Sequence, residues 1–339
     1  MNSKQLLEKL FNRIDLTSEE ISFLLNQFIN GELNDYQMAA FLTALRMKGE
    51  TVEEIIGLIT AMRKHMIHFP KIDSAIDTCG TGGDSSGTFN ISTTVAFVTA
   101  GAGVPIIKHG NRAASSRCGS ADVLTQLGVN IMLQPDQAKK VFDSVGMIFL
   151  FAPLYHPATK HIVPVRKALG TRTVFNYLGP FLNPAGVARQ LIGVPSKQFA
   201  NILAKVASTL NYEYLLLVSS EEGLDEIGTN KKTYIYEIKG KQIIEKVVNP
   251  EQLGFQKRSP EAIRGGDAQK NAEIIKGFLK GEKGAKRDIV VLNSAYALLV
   301  SGKVNDVTEG IELAKRSIDS GAAKDVLNNL IEETQKYGK

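Results

Sequence analysis

The sequence predicts an α/β fold with a largely parallel central sheet, preceded by a small all-α domain. Three observations predict it. Through the first 70 residues, helix-capping signals and apolar residues at 3.6-residue spacing recur without any strand pattern. From residue 71 onward, short apolar runs alternate with helical stretches, as parallel strands joined by helical crossovers do. The chain has 339 residues, with 43% hydrophobic and 22% charged content, enough to fill ordinary cores and unlike a disordered protein.

The opening "MNSKQLLEKLFNRIDL" is amphipathic and carries no apolar signal core or cleavage site. "TSEE" at 17–20 is a capping box, in which Thr17 accepts from the Glu20 amide and Glu20 reaches back to the Thr17 amide. Behind it Ile21, Leu24, Leu25 and Phe28 share one face, and Gly31 stops the helix. Asn34 or Asp35 caps a segment carrying Met38, Phe41, Leu42 and Leu45, closed by Lys48 and Gly49. "TVEE" at 51–54 repeats the box before Ile55, Leu58, Ile59 and Met62. A compact helical domain over 1–70 follows from short helices with short connections.

Strands are predicted at 75–78, 104–108, 147–151, 190–193 and 214–219, then at 233–238 and 242–248 as a hairpin turning at Gly240. Helical patterns lie between several of them, at 92–102, 120–127, 135–145 and 195–210, and the chain returns to helix from residue 271. No internal repeat stands out. The net charge of +5 is spread along the chain without aromatic-rich basic motifs, which suits an anionic small molecule better than nucleic acid. The two cysteines, Cys79 and Cys118, form neither a disulfide framework nor a zinc spacing. No apolar run can span a bilayer, so the expected location is cytoplasmic and no membrane partner is expected.

Ligands of α/β sheets bind beyond the carboxyl ends of strands, and four loops there are unusual. "DTCGTGGDSSGTFNIST" (77–93) holds four glycines and then Asn90, Ser92 and Thr93 at a helix start. Glycines expose backbone amides and the helix terminus favours an anion, so the stretch reads as a phosphate cradle, or as a glycine-rich turn with a helix cap. Neither the Walker nor the GxGxxG spacing fits it. "KHGNRAASSRCGSAD" (108–122) sets Lys108, His109, Asn111, Arg112 and Arg117 among small residues and hydroxyls, which suits a polyphosphate. Its Cys118 is a nucleophile or a bystander thiol, with no partner constellation beside it. "SSEEGLDEIGTN" (219–230) packs Glu221, Glu222, Asp225 and Glu226 together, as a magnesium site or a solvated acidic turn does. In "LYHPATKHIVPVRKALGTRTVFNYLGPFLNPAG" (154–186), Arg166 can clamp a planar carboxylate or be one more basic residue on a helix.

These stretches, together with "GLDEI", "IRGGDAQKNA" and "RDIVVLNSAYAL", occur in an order that closely resembles the anthranilate phosphoribosyltransferase family over nearly the whole chain. The resemblance implies a nucleoside phosphorylase/phosphoribosyltransferase-type fold. Its α/β domain would span 71–339, with part of 154–184 joining the helical domain, and homodimers would form through the helical domain. It implies transfer of a phosphoribosyl group from phosphoribosyl pyrophosphate to the amine of anthranilate, in tryptophan biosynthesis, with Mg2+. By that resemblance Gly80, Gly82, Gly83, Asp84, Thr88, Asn90, Ile91, Ser92 and Thr93 cradle the pyrophosphate. Lys108, His109, Gly110, Asn111, Arg112, Ala113, Ala114, Ser115, Ser116 and Ser120 complete that site. Ser92, Asp225 and Glu226 would hold magnesium, selecting the second acidic pair. Gly80, Asn111 and Arg166 would hold anthranilate, with His109, His156 and Gly179 lining its path. Cys118 stands where the family more often has serine. No residue is firmly assigned as a base, although His109 is a candidate. A pyrimidine nucleoside phosphorylase-like enzyme and a catalytically silent nucleic-acid binder are the rival readings.

Overall fold

The computed structural model describes residues 1–82, 86–113 and 117–338. In chain order, α1 (Ser3–Phe11), α2 (Ser18–Ile29), α3 (Asp35–Lys48) and α4 (Val52–Lys64) come first. β1 (Ile76–Gly80), α5 (Ile91–Gly101), β2 (Ile106–Gly110), α6 (Ser120–Leu127), α7 (Pro135–Val145) and β3 (Met147–Phe151) follow. Three short helices, α8 (Ala152–Tyr155), α9 (Ile162–Leu169) and α10 (Phe175–Leu178), lead to β4 (Arg189–Gly193), α11 (Lys197–Ala207) and β5 (Tyr214–Ser220). The hairpin β6 (Thr233–Lys239) and β7 (Gln242–Val248) precedes α12 (Ala268–Leu279), α13 (Ala285–Ser301), α14 (Val307–Asp319) and α15 (Ala322–Gln335). The chain divides into two units, Met1–His68 with Pro153–Pro184, and Phe69–Ala152 with Ala185–Lys339.

In the helical unit, both threonine capping boxes form, at Thr17 and Thr51, and Asn34 with Gln37 makes a third. The apolar faces they set in register, including Ile21, Leu24, Leu25, Phe41, Leu45, Ile55 and Leu58, are buried. Helices α2 and α4 approach so closely that a Cβ on Gly57 would lie 2.4 Å from the Ser18 carbonyl oxygen. Glu54, the capping glutamate of α4, is itself fully buried. It accepts from the amides of Thr51 (2.9 Å) and Leu16 (3.0 Å) and from Lys48 Nζ (2.9 Å), so one carboxylate fastens three segments. The later segment joins this unit through Arg63 Nε, which donates to the Phe181 carbonyl at 2.9 Å, and through the Ile67 amide, which donates to the Tyr155 carbonyl at 2.8 Å.

The second unit is built on a seven-stranded sheet of order β3-β2-β1-β4-β5-β6-β7. The first five strands are parallel and the last two antiparallel, with the hairpin turn at Gly240. The strands lie where the apolar runs predict them, but β1 and β2 extend two residues further, to Gly80 and Gly110. Backbone pairing to β4 and β3 carries the ladder into each glycine-rich loop, a tertiary effect that local composition does not contain. Helix α5 is almost wholly buried, packed against α13, α14 and α15. Among the described residues no helix is long and apolar enough to cross a membrane.

Candidate active site

Strand order reverses between β1 and β4: the chain runs outward from β1 through β2 to β3 on one side, and from β4 to β5 on the other. A crevice at such a switch point is where α/β sheets bind ligands. Gly80 and Gly193 sit there opposite each other in register, at the carboxyl ends of β1 and β4. A Cβ on Gly193 would fall 1.5 Å from the Asp225 carbonyl oxygen, and one on Gly80 would fall 2.3 Å from Asp225 Oδ2. Only glycine at both positions lets the acidic loop lie across these strand ends. The Gly82 amide then donates to Asp225 Oδ2 at 2.9 Å, joining the glycine loop to the acidic loop.

The four carboxylates of the acidic loop are not equivalent. Glu221 accepts from the Tyr234 hydroxyl at 2.9 Å, and Glu222 from Asn230 Nδ2 at 3.1 Å, so both serve the loop's own structure. Asp225 and Glu226 stand at the strand ends, close enough that Glu226 and the buried Asp77 both act on the Cys79 thiol. Asn293 of α13, fully buried, holds the backbone just beyond them. It accepts from the Ile227 amide at 2.9 Å and donates to the Ile227 carbonyl at 2.9 Å. Two adjacent carboxylates suit a magnesium ion whose remaining ligands are phosphate and water. No group of three metal-ligating side chains occurs among the described residues, so substrate oxygens are needed to complete such a shell.

Helix α5 begins at Asn90, at the end of the glycine-rich stretch. Its first-turn amides, those of Ser92 and Thr93, have no acceptor among the described residues. Thr93 Oγ1 and Thr81 Oγ1 are buried without a partner among the described residues. Lys108, 1% exposed, donates from Nζ to the Thr78 carbonyl and, at 3.4 Å, to Ser92 Oγ. It makes no ion pair among the described residues. With no anion among the described residues beside this buried ammonium, and with Ser92 of the helix start within its reach, the arrangement suits a negatively charged ligand.

The 108–122 loop is organised by Asp122, which the sequence did not single out. It accepts from the amides of Ala113 and Gly119, both at 2.9 Å, and from Arg112 Nη1 at 3.0 Å. Burial raises its pKa, but those three donors together hold it below the usual aspartate value. Gly110 lies where a Cβ would meet Ser120 Oγ at 2.3 Å, and that hydroxyl donates to the Asn111 carbonyl at 3.3 Å. His109 is buried, with its amide donating to Asp77 Oδ2 at 3.4 Å. Thr88 bridges to Arg264, which ties the glycine loop to the "IRGGD" segment. Ile91 is buried, with its amide donating to the Phe89 carbonyl at 2.7 Å. Gly83, Asp84, Ala114, Ser115 and Ser116 lie outside the described residues.

Neither cysteine is set up as a nucleophile. Burial, reinforced by Asp77, pushes the Cys79 thiol well above its ordinary value, and burial raises Cys118 as well. Cys118 Sγ donates to Asn90 Oδ1 at 3.3 Å, so its role is that of a hydrogen-bond donor.

Arg166, His156 and Gly179 belong to the helical unit. Arg166 on α9 is half-buried, and desolvation lowers its pKa from the ordinary arginine value. Its Nη2 donates to Asn176 Oδ1 at a long 3.4 Å, and the guanidinium lies 5.7 Å from the centre of the Phe175 ring. It has no carboxylate partner among the described residues. A Cβ on Gly179 would meet nothing within 4 Å, so the space beside it is open. His156 is buried, and desolvation pushes its pKa down to about 4, so it is neutral at physiological pH and contributes shape and hydrogen bonds, not charge.

Known proteins match nearly the whole of this chain. A model described as the glycosyl transferase family helical bundle domain matches residues 4–66, and one described as that family's a/b domain matches residues 73–324. An anthranilate phosphoribosyltransferase from Methanosphaerula palustris is 45% identical over 331 residues, covering 97% of each chain. The crystal structure of anthranilate phosphoribosyltransferase from Thermus thermophilus superposes with a TM-score of 0.91 at 36% identity, over 97% of this chain and 99% of that one. The Saccharomyces cerevisiae enzyme, in complex with PRPP and Mg, gives a TM-score of 0.90 at 28% identity over 98% of each chain.

Proposed function

We infer the working of this chain from one premise: it belongs to the anthranilate phosphoribosyltransferase family. It transfers the phosphoribosyl group of 5-phosphoribosyl 1-pyrophosphate to the amine of anthranilate, releasing pyrophosphate. The observation that carries this reading at the level of chemistry is the α5 start, whose Ser92 and Thr93 amides have no acceptor among the described residues, beside the buried Lys108.

The proposed residue roles follow from charge. The amides of Ser92 and Thr93, with the Thr93 hydroxyl and Lys108, hold the pyrophosphate as it leaves the ribose C1, while Gly80 and Gly82 let the acidic loop lie against the glycine loop. Asn111, Arg112 and Ser120, in the loop that Asp122 shapes, hold the rest of the phosphoribosyl group. Ser92, Asp225 and Glu226 are proposed as the magnesium ligands, and bound magnesium would neutralise charge on the leaving group. Asp225 Oδ2 accepts from the Gly82 amide, so one of the carboxylates that would hold the cation is anchored to the glycine loop. Arg166 is proposed to receive the anthranilate carboxylate through its fork. The aniline nitrogen is neutral near pH 7, so attack on an oxocarbenium-like C1 needs only late proton loss. Positioning and electrostatic help to the leaving group then supply most of the rate.

Purified protein with phosphoribosyl pyrophosphate and magnesium is expected to quench the native fluorescence of anthranilate, with all three components required. A flat trace from folded protein would favour the phosphorylase reading instead. A homodimer through the helical unit is also proposed, on the apolar side chains Phe11, Ile14, Tyr36 and Met47 that this unit leaves exposed. Light scattering should return twice the chain mass, and Met47→Glu should lower it; a monomeric wild type rejects the dimer.

A further inference from the structure

Asn90 occupies the N-cap position of α5 but does not cap it. An asparagine there ordinarily turns its side-chain oxygen onto the amides of the second or third helical residue, here Ser92 and Thr93. Instead the Asn90 side chain is held in the opposite sense from two directions. Asn271 Nδ2, on the buried face of α12, donates to Asn90 Oδ1 at 3.0 Å. Cys118 Sγ donates to the same oxygen at 3.3 Å, while Asn90 Nδ2 donates to the Cys118 carbonyl at 3.2 Å.

Asn271 is itself fixed. Its Oδ1 accepts from the Gly266 amide at 2.8 Å, and its side chain is 1% exposed. The turn that delivers it packs directly on the residue before Asn90, where a Cβ on Gly265 would meet both Asn271 Oδ1 and the Phe89 nitrogen at 2.6 Å. With its oxygen already committed to Gly266, Asn271 can present only its NH2 to Asn90, which sets the orientation of the Asn90 amide.

We propose that Asn271, assisted by Cys118, is a positioning residue that keeps the Asn90 oxygen off the first turn of α5, so that the Ser92 and Thr93 amides stay open for the pyrophosphate. The proposal rests on the phosphate-binding role given above to that helix terminus. Without Asn271, the Asn90 oxygen loses its stronger donor and swings to the adjacent amides. There it competes with the substrate as an internal cap. Serine at position 118 would supply the same donation as the thiol, so the cysteine is functionally equivalent at this point.

The test reads the dissociation constant of phosphoribosyl pyrophosphate with magnesium by calorimetry, without anthranilate, for wild type, Asn271→Ala, Asn90→Ala and the double variant. Steady-state KM values and thermal transitions are measured beside it. Since a cap oxygen contributes as much as a typical N-cap does, Asn271→Ala is expected to weaken phosphoribosyl pyrophosphate binding roughly five- to thirtyfold. The anthranilate KM should stay within about twofold, and in the Asn90→Ala background the same change should cost less than about twofold, because the competing oxygen is gone. Cys118→Ala should weaken binding in the same direction and Cys118→Ser should restore it. An Asn271 effect that persists undiminished without Asn90, or that raises both KM values alike, overturns the proposal in favour of a general packing role. Unchanged binding in Asn271→Ala overturns the positioning alone, whereas a wild type that binds no phosphoribosyl pyrophosphate overturns both it and the functional reading.

Discussion

Arg166→Ala is expected to raise the KM for anthranilate by roughly 30-fold or more, with the KM for phosphoribosyl pyrophosphate nearly unchanged, since each lost hydrogen bond between charged groups costs about 1.5–3 kcal/mol. The guanidinium is half-buried on α9, and among the described residues it has only the long hydrogen bond to Asn176 and the Phe175 ring for company. Desolvating a cation without an anion is unfavourable, as the depressed pKa reflects. An incoming carboxylate removes that penalty and receives a two-pronged contact. Arg166→Lys should recover little, because an ammonium retains the charge but lacks the planar fork. The helix terminus and Lys108, proposed to hold the other substrate, belong to the α/β unit and are untouched by the change. Parallel initial-rate series in the two substrates decide the matter, and equal increases in both KM values would remove Arg166 from the carboxylate role.

Asp225→Asn combined with Glu226→Gln should lower kcat/KM by roughly a hundredfold or more, the scale of losing an electrostatic stabiliser of the leaving group. It should also move the magnesium midpoint to much higher concentration. Both changes are nearly isosteric, and an asparagine oxygen can still accept from the Gly82 amide, so the loop across Gly80 and Gly193 is retained. The control is built into the same loop. Glu221→Gln and Glu222→Gln should leave the magnesium titration in place, because those carboxylates already serve Tyr234 and Asn230. Manganese binding followed by electron paramagnetic resonance, with phosphoribosyl pyrophosphate present, gives a readout independent of turnover. An unaltered metal titration in the double variant would exclude Asp225 and Glu226 as ligands.

The fold class was legible in the sequence because its signals are local. Thr17 and Glu20, or Thr51 and Glu54, are three residues apart, and a capping box needs nothing beyond that spacing. The runs that became β1 to β5 and the hairpin at Gly240 were likewise visible as short apolar segments between punctuating residues. The chemistry of the glycine loop was readable in part, since free amides at a helix start favour an anion in any context. The residue pattern alone left four acids as equal candidates for a cation.

Local sequence thus sets the order and type of the elements and the chemical character of the loops between them. How individual polar side chains are spent emerges from packing between distant segments. Asn271 reaches Asn90 from 181 positions away, and Asn293 holds Ile227 from 66 positions away. A lone asparagine in the apolar run "IVVLNSAYAL" was the one available hint of the second. Glu221 and Glu222 differ from Asp225 and Glu226 because of Tyr234, Asn230 and two glycines at strand ends, not because of residue type. The physical reason is common to all of these. A hydrogen bond is directional and a few ångströms long, so a buried polar group's role depends on which donors and acceptors the packed strands and helices bring within reach.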